Sequence, residues 1–298
     1  MKKWFLLPII CFLLLVCLKP EHDNEYDPNN PNKAYLEGNV YGFDSFPVRN
    51  AKVALTYDDS NFIEQYSDNE GWYSFDRVDP GIYKIVAHGE YYKFFEYYPE
   101  SLSAGASDTF DIYFYEAFWD FENEPLNTHE PLGFSAVAGA WSVIDNHDQG
   151  HVYNGITPGT GLAVAITDVV VNDFYYESMI KVDTSSGNTF VAGILFRYRD
   201  DQNFYVVIFF TDHIKLIESH LGTWTTIDTK WRGFSLNHWH TLSVDCSGDH
   251  IQVFIGNETT PLFDVHNGTF ADGRVGLFAE NNSSVSFDDI YIDISDWE

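Results

Sequence analysis

Residues 193–210 constrain the fold of this chain more than any other segment, because they read as two β-forming arms around a short polar loop. The loop is Asp-Asp-Gln-Asn at residues 200–203, and the strand-favouring residues on both sides predict a β-hairpin. Even-numbered positions are apolar on both arms, and this period of two predicts one core-facing side formed by Ala192, Ile194, Phe196, Tyr198, Phe204, Val206, Ile208 and Phe210. The odd-numbered side is too apolar to face water completely. The hairpin is therefore expected inside a two-sheet sandwich.

Composition and charge narrow the class of protein further. Aromatic residues make up 17% of the chain, and a helical period is hard to find after the N-terminal segment. Such a composition predicts an all-β protein. The formal charge of −29, from 45 acidic and 16 basic side chains, argues against nucleic acid as a partner, because that binding needs Lys and Arg at the phosphates. The negative charge permits Ca²⁺ binding. Its simpler interpretation is a surface that keeps the protein soluble.

The N-terminus has the pattern of an export signal. Two lysines precede an apolar run over residues 4–18, which is long enough for a signal peptide and short for a membrane span. Residues 14–17, Leu-Leu-Val-Cys, resemble the lipobox of bacterial lipoproteins, although that motif favours a smaller residue than the valine. The resemblance implies that residues 1–17 are a signal peptide, that Cys17 carries a lipid, and that the protein is held at the cell envelope, in the outer membrane or at the cell surface. Ordinary cleavage nearby and an uncleaved anchor are the alternatives.

The segment after the signal and the remaining cysteine complete this interpretation. Residues 18–33 are rich in Pro, Asn and Asp and predict a flexible tether. Cys246 is the single cysteine of the expected folded part, which excludes a disulfide within it. Cys246 follows Leu242 and Val244 at strand spacing, which predicts a buried apolar residue rather than a nucleophile.

Residues 34–116 read as short strands separated by turns. Two segments, residues 67–75 and 78–83, place Gly or Pro-Gly in a turn before the next strand. Together with residues 37–42 and 48–55, they resemble the carboxypeptidase regulatory-like domain family. The resemblance implies a small transthyretin-like β-sandwich that acts as a non-catalytic spacer or an adhesive element.

Residues 117–298 contain about twelve candidate strands with Gly, Asn and Asp turns between them, a pattern typical of a jelly roll. This part resembles the concanavalin-A-like lectin/glucanase superfamily, in particular its laminin-G-like bacterial branch, through motifs at residues 118–122, 139–143, 193–198, 203–205, 239–244, 248–253, 273–278 and 287–290. The predicted fold class is therefore all-β, with a small transthyretin-like β-sandwich followed by a larger concanavalin-like jelly-roll β-sandwich.

The superfamily that this part resembles includes glucanases, so the resemblance raises the possibility of catalysis. Hydrolases of the superfamily carry a Glu-x-Asp-x-(x)-Glu pattern on one strand, and retaining enzymes need two carboxyl groups about 5 Å apart. No predicted strand contains the pattern, and Glu122 and Glu124 stand at the entrance to the domain rather than in mid-sheet. His240 shares the parity of apolar neighbours and is expected to be structural. We predict no catalytic residue, with a glycoside-processing hydrolase as the alternative.

A metal site is predicted in the last strand. Its apolar parity switches at Asp288 and Asp289, and a β-bulge there would fill the core on both sides and turn a carboxylate outwards. The superfamily resemblance implies a structural Ca²⁺ where the first and last strands meet, with further oxygens from Asp120 and Glu122. A solvated acidic bulge is the alternative.

Sugar binding requires an aromatic platform beside a few hydrogen-bonding groups. The candidate residues are Arg197, Arg199, Tyr205, Trp224 and Trp231. The alternative is that these aromatics only pack between sheets or under loops. We predict that the jelly roll binds a polysaccharide or other glycan without cleaving it. A structural or adhesive surface protein that binds another protein is the remaining alternative.

Overall fold

The computed structural model describes residues 30–294, except residues 44, 59–60, 90, 94, 98–100, 158, 160, 186–189 and 282. Among these residues every regular secondary-structure element is a β-strand, which confirms the predicted all-β class. The N-terminal strands are β1 (Ala34–Tyr41), β2 (Lys52–Asp58), β3 (Asn61–Tyr66), β4 (Trp72–Val78), β5 (Lys84–His88), β6 (Phe95–Tyr97), β7 (Ser107–Thr109) and β8 (Ile112–Tyr113). The remaining strands are β9 (Glu116–Trp119), β10 (Phe134–Ala138), β11 (Ala140–Asn146), β12 (Gly150–Ile156), β13 (Leu162–Val171), β14 (Phe174–Thr184), β15 (Val191–Asp200), β16 (Asn203–Phe209), β17 (His213–His220), β18 (Thr223–Trp231), β19 (His240–Ser247), β20 (His250–Ile255), β21 (Phe263–His266), β22 (Gly273–Glu280) and β23 (Ser284–Asp293).

Strands β1 to β8 form a small sandwich of two sheets. One sheet has the order β4-β1-β7 with β8 also beside β1, and the other has the order β3-β2-β5-β6. Strand β1 alternates between buried and half-buried side chains along its whole length, as a strand with one core-facing side must. The core side chains include Leu36, Val53, Phe75 and Ile85. The sandwich agrees with the predicted architecture, while its membership of the transthyretin-like family stays a prediction.

Strands β9 to β23 form a larger sandwich. Its seven-stranded sheet has the order β10-β13-β22-β15-β16-β17-β18, and its eight-stranded sheet has the order β11-β12-β23-β14-β19-β20-β21 with β9 beside β23. Apolar side chains of both sheets meet between them in the core, among them Ile194, Phe209, Leu277, Val244 and Phe287. This arrangement confirms the predicted jelly-roll sandwich.

The predicted hairpin is present as β15 and β16, but the prediction that even positions of both arms share one side is wrong. Residues directly opposite each other in an antiparallel pair point to the same side of the sheet, and Ile194 lies opposite Val207. The reason is the turn, because two residues, Asp201 and Gln202, connect the arms and bring even positions opposite odd ones. The even positions of β16 therefore lie on the outer face, in a second buried apolar cluster that includes Leu195, Phe204, Val206, Ile208 and Phe278.

The two sandwiches touch each other through aromatic residues. The ring of Tyr91 stacks on the ring of Trp119 with centroids 5.0 Å apart, and Tyr92 forms a β-bridge with Ala117. The backbone N–H of Phe118 donates to the carbonyl oxygen of Tyr91 at 2.8 Å. Strand β9 therefore belongs to the eight-stranded sheet and also forms the contact with the N-terminal sandwich.

Candidate functional site

Arg197, the first of the predicted sugar-binding residues, lies between the sheets. Its side chain is fully buried, and its guanidinium donates to the carbonyl oxygens of Phe270 at 2.8 Å and Asn172 at 3.0 Å. A carboxylate oxygen of Asp173 lies 3.8 Å away. The residue has a φ of 47° and lies at a register irregularity of β15, where a bulge turns its side chain inwards. Arg197 therefore holds two loops together inside the protein and presents no surface to a sugar.

Tyr205 is buried beside Arg197 and anchors the same loop. Its hydroxyl donates to Oδ1 of Asn267 at 2.7 Å and accepts the backbone N–H of Phe270 at 3.3 Å. Asn267 in turn donates to Glu218 at 2.6 Å. Burial raises the pKa of the Tyr205 hydroxyl. The hydrogen-bonding capacity of this tyrosine is used within the protein.

The other three predicted sugar-binding residues lie on the surface, in two different places. Arg199 forms an ion pair with Asp272 at 2.6 Å and lies over the ring of Phe270. Trp224 and Trp231 both belong to β18, the edge strand of the seven-stranded sheet. The structure thus separates the five candidates into three residues around Phe270 and two tryptophans on β18.

The two tryptophans share one face of β18. Trp224 lies opposite Ser219 of β17 and Trp231 lies opposite His213, and these two partners have the same parity. Trp224 is 41% exposed and Trp231 is 79% exposed. At about 3.3 Å per residue, the two side chains are roughly 20 Å apart along the strand.

The space between the two rings carries hydroxyl groups. Thr226 and Thr229 lie opposite Ile217 and Lys215, which places both threonines on the face that carries the tryptophans. The ring of Trp224 is held edge-on against Phe204 with centroids 5.6 Å apart. The exposed face of β18 therefore presents two aromatic rings with hydroxyls between them.

The predicted bulge in the last strand is present. Strand β23 shifts register against β14 between Glu177 and Met179, and the apolar positions on both sides of the shift are fully buried: Val285, Phe287, Ile290 and Ile292. Asp289 has a φ of 45° at this point. The parity switch in the sequence was therefore a sound signal of irregular pairing.

The four predicted metal-binding carboxyl groups lie close enough to affect one another. Asp288 is only 3% exposed, and one of its carboxylate oxygens has no hydrogen-bond partner. Burial raises the pKa of Asp288 to about 8, with further contributions from the charges of Asp289, Glu122 and Asp120. Burial also raises the pKa of Asp289, and the charges of Asp120 and Glu122, which follow β9, raise it further. The site therefore favours either a bound proton or a bound cation.

The geometry of this acidic site is incomplete as a metal centre. In the described part of the chain, no group of three or more His, Cys, Asp or Glu side chains is arranged to hold a metal ion. One oxygen of Glu122 accepts the backbone N–H of His151 at 3.1 Å. Calcium also takes backbone carbonyl and water oxygens, so fewer than three carboxylates can suffice. The orphaned oxygen of Asp288 fits a cation, and the Ca²⁺ site stays a prediction.

A buried polar network on the outer face of the eight-stranded sheet was missed by the sequence analysis. Lys181 is 6% exposed, and its ammonium group donates to Oδ1 of Asn146 at 3.1 Å. A carboxylate oxygen of Asp183 lies 3.3 Å from the ammonium nitrogen, and the ring centroid of Trp239 lies 5.2 Å from it. The indole N–H of Trp239 is buried without an acceptor. A lysine and an aspartate two residues apart at the end of a predicted strand were the signal available in the sequence.

Neighbouring strands extend this network. The side-chain amide of Asn154 donates to the hydroxyls of Ser284 and Ser286, both at 3.1 Å. The hydroxyl of Ser286 donates to Asp183 at 2.5 Å. Strands β12, β14 and β23 thus bring a cation, a carboxylate, an amide and two hydroxyls together, a combination that can bind a polar ligand or move a proton.

Cys246 and His240 lie wholly or partly inside the sandwich. Cys246 is buried as expected, and burial raises the pKa of its thiol to about 12, so it is not a nucleophile at neutral pH. His240 is half-buried, and burial lowers the pKa of its ring. The predicted signal peptide and Cys17 lie outside the described residues. In the described part of the chain, no helix has the length and hydropathy needed to cross a membrane.

The two sheets and the core between them define a jelly-roll β-sandwich domain. The model of the 3-keto-alpha-glucoside-1,2-lyase-like domain family matches residues 133–293, which is more than half of the chain. The chain belongs to this family. The match includes the β18 face and the Lys181 network and excludes the N-terminal sandwich. No curated protein matches the chain significantly.

Solved structures with a similar fold each cover between 54% and 60% of the chain. The carbohydrate-binding module CBM66 from Bacillus subtilis is 21% identical, with 54% of this chain and 96% of that chain covered and a TM-score of 0.48. A beta-glucanase from Bacillus licheniformis is 10% identical, with 60% and 98% covered and a TM-score of 0.43. A protein with a galectin-like fold from Bacillus subtilis is 7% identical, with 59% and 97% covered and a TM-score of 0.42.

Proposed function

We propose that the C-terminal jelly roll binds a polysaccharide without cleaving it, along the exposed face of β18. The observation that carries this proposal is the pair Trp224 and Trp231, which lie on one face with two threonine hydroxyls between them. Sugar rings have apolar faces that stack on aromatic side chains and hydroxyls that need hydrogen bonds. A separation of roughly 20 Å along a strand matches an extended chain of several sugar units better than a single sugar.

Replacing Trp224 by alanine is expected to weaken polysaccharide binding about tenfold or more, because the stacking surface of one subsite is lost. A glycan array first identifies the ligand, and titration calorimetry then measures its affinity for the wild type and the variant. Trp72 supplies a matched control, since it has the same exposure of 41% but lies in the N-terminal sandwich. Trp72→Ala should bind as the wild type does. A folded protein that binds no glycan on the array, or a Trp224→Ala variant with full affinity, refutes the proposal.

A glycoside-processing enzyme is the second candidate function, and the buried Lys181 network favours it. A lyase that acts on a 3-keto-glucoside removes a proton beside a carbonyl group, and this requires a base together with a group that stabilises the resulting negative charge. Asp183 and Lys181 are side chains of these two kinds, 3.3 Å apart. The family's name adds support for this reaction class.

Incubation with a 3-keto-glucoside distinguishes the two candidates. Non-catalytic binding predicts no product above the uncatalysed rate. Product release that falls at least about 100-fold in both Lys181→Met and Asp183→Asn would replace the binding proposal with the lyase. Lys230→Met is the matched control, because Lys230 forms an ion pair with Asp228 on the surface.

The structural Ca²⁺ is part of the same proposal. Asp288 and Asp289 of the bulge would hold the ion together with Asp120 and Glu122, which follow β9 directly. The unpartnered, buried carboxylate oxygen of Asp288 supports this role. The ion would neutralise the carboxylates and tie β9 to β23, and it would take no part in sugar chemistry.

Export and anchoring complete the proposal. The apolar run over residues 4–18 after two lysines supports a signal peptide, and the Leu-Leu-Val-Cys segment supports lipidation of Cys17. The N-terminal sandwich would then hold the jelly roll away from the membrane as a spacer. The mass of the mature protein checks this, since a lipidated N-terminal cysteine adds acyl chains, and an unmodified chain would contradict the anchor.

A further inference from the structure

A cleft of about 480 Å³ lies between the two sandwiches. The N-terminal sandwich contributes Phe46, Arg49 and Tyr91 to its walls, and the C-terminal sandwich contributes Leu132, Asp168 and Arg274. A volume of this size is typical of sites for small molecules, and such sites favour the boundary between two domains. The cleft lies at the junction of the sandwiches, away from the edge strand β18.

The two arginines of this cleft differ from the other basic residues in having no partner. The chain is strongly acidic, and most lysines and arginines in the described residues form ion pairs with carboxylates. Within those residues, the side chains of Arg49 and Arg274 form neither an ion pair nor a hydrogen bond, and both line the cleft. Lys215 also lacks both, but its ammonium group lies over the ring of Phe210. Arg49 is exposed and Arg274 is half-buried. An unpaired, partly buried charge is costly, and a bound anion would offset that cost.

We infer that the cleft binds an anionic sugar unit, whose carboxylate or sulfate group is held by Arg49 and Arg274. A guanidinium presents paired N–H donors that match the oxygens of a carboxylate or sulfate. Two guanidinium groups from opposite walls select an anion over a neutral ring, because a neutral sugar leaves both charges unpaired.

The other walls of the cleft are suited to the rest of a sugar. Tyr91 contributes a half-buried aromatic side chain, which packs against both Trp119 and Tyr92 with ring centroids 5.0 and 4.7 Å away. Asp168 contributes a carboxylate that accepts the hydroxyl of Ser135 at 3.3 Å, so a carboxylate acceptor is available for a sugar hydroxyl as well.

The inference does not depend on the β18 site, and one experiment tests the two separately. Titration calorimetry with the full chain uses three probes: trigalacturonate, a chondroitin sulfate tetrasaccharide, and neutral galactotriose. We expect binding of at least one anionic probe, and at least tenfold weaker binding of galactotriose. The carboxylated and sulfated probes show which anion the cleft accepts.

Variants locate this binding in the cleft. Arg49→Gln and Arg274→Gln should each lower the affinity for the anionic probe about tenfold or more, because each substitution removes a charged hydrogen-bond donor. Arg232→Gln is the control, since Arg232 is paired with Glu258 elsewhere on the surface. Trp224→Ala should leave the affinity unchanged, which separates the cleft from β18. The inference is overturned if neither anionic probe binds, if galactotriose binds equally well, or if both cleft variants keep the wild-type affinity.

Discussion

Replacing Arg197 by methionine is expected to lower the free energy of unfolding by about 2 kcal/mol, because one buried and one partly buried carbonyl oxygen lose their donor. These are the oxygens of Phe270 and Asn172, which accept from the guanidinium at 2.8 and 3.0 Å. Methionine fills most of the volume, so the loss arises mainly from unsatisfied polar groups rather than from a cavity. Urea denaturation with a fluorescence readout measures the effect as a lower midpoint.

Arg199→Met is the matched control for this measurement. Arg199 lies two residues further along and pairs with Asp272 on the surface, so its loss should cost less than about 1 kcal/mol. The comparison also tests the sugar-binding role predicted for Arg197 from the sequence. A variant at Arg197 that keeps wild-type stability but loses glycan binding would restore that role and contradict the structural one.

Replacing Asp288 by asparagine is expected to have opposite effects with and without Ca²⁺. In chelator at pH 8, the variant should melt about 5 °C higher than the wild type, because it no longer carries a buried, repelled carboxylate, a gain on the order of 2 kcal/mol after solvent screening. In millimolar Ca²⁺, the wild type should gain stability from ion binding, and the variant should gain little because it lacks the buried ligand. Thermal melts of both proteins measure the two effects.

The pH dependence of the metal-free protein follows from the direction of the shift. The pKa of Asp288 is about 8 in the folded protein and lies near 3.8 when the group is not perturbed. Between these values the folded state binds the proton more tightly than the unfolded state, so this group makes the wild type less stable as the pH rises from about 4 to 8. The difference between Asp288→Asn and the wild type in chelator should therefore grow over that range.

A surface carboxylate provides the control for these melts. Asp108 lies exposed on β7 of the other sandwich, so Asp108→Asn should follow the wild type at every pH and Ca²⁺ concentration. Equal melting temperatures of the wild type with chelator and with Ca²⁺ would argue against the ion. A variant at Asp288 that is less stable than the wild type in chelator at pH 8 would contradict the raised pKa.

Local patterns predicted much of the fold correctly, and the errors arose where pairing across strands mattered. The strand content, the hairpin at β15 and β16, and the bulge at Asp289 are all visible in a period of two and its interruption. The outer-facing half of β16 was predicted incorrectly, since a two-residue turn brings even positions opposite odd ones. The same limit explains Arg197, which the bulge turns into the interior although its parity in the sequence suggested an outer face.

The candidate sites divide in the same way. Trp224 and Trp231 were chosen from the sequence only as aromatic residues near the hairpin, and the structure decided that they share one face of β18. The acidic site was found because the first and last strands of the domain were expected to meet. The Lys181 network was missed, because Asn154 and Ser286 come from strands far away in the chain.

By itself the sequence determined the strand content, the sandwich class and the acidic bulge, because these depend on the alternation of side chains along one strand. Only the tertiary structure decided which distant residues meet. It placed Arg197 and Tyr205 in the interior, gathered Lys181 with Asn146 and Asp183, and brought Arg49 and Arg274 to one cleft. The physical reason is that strand order and the packing of one sandwich on another are set by the whole core, and a local period carries no information about them.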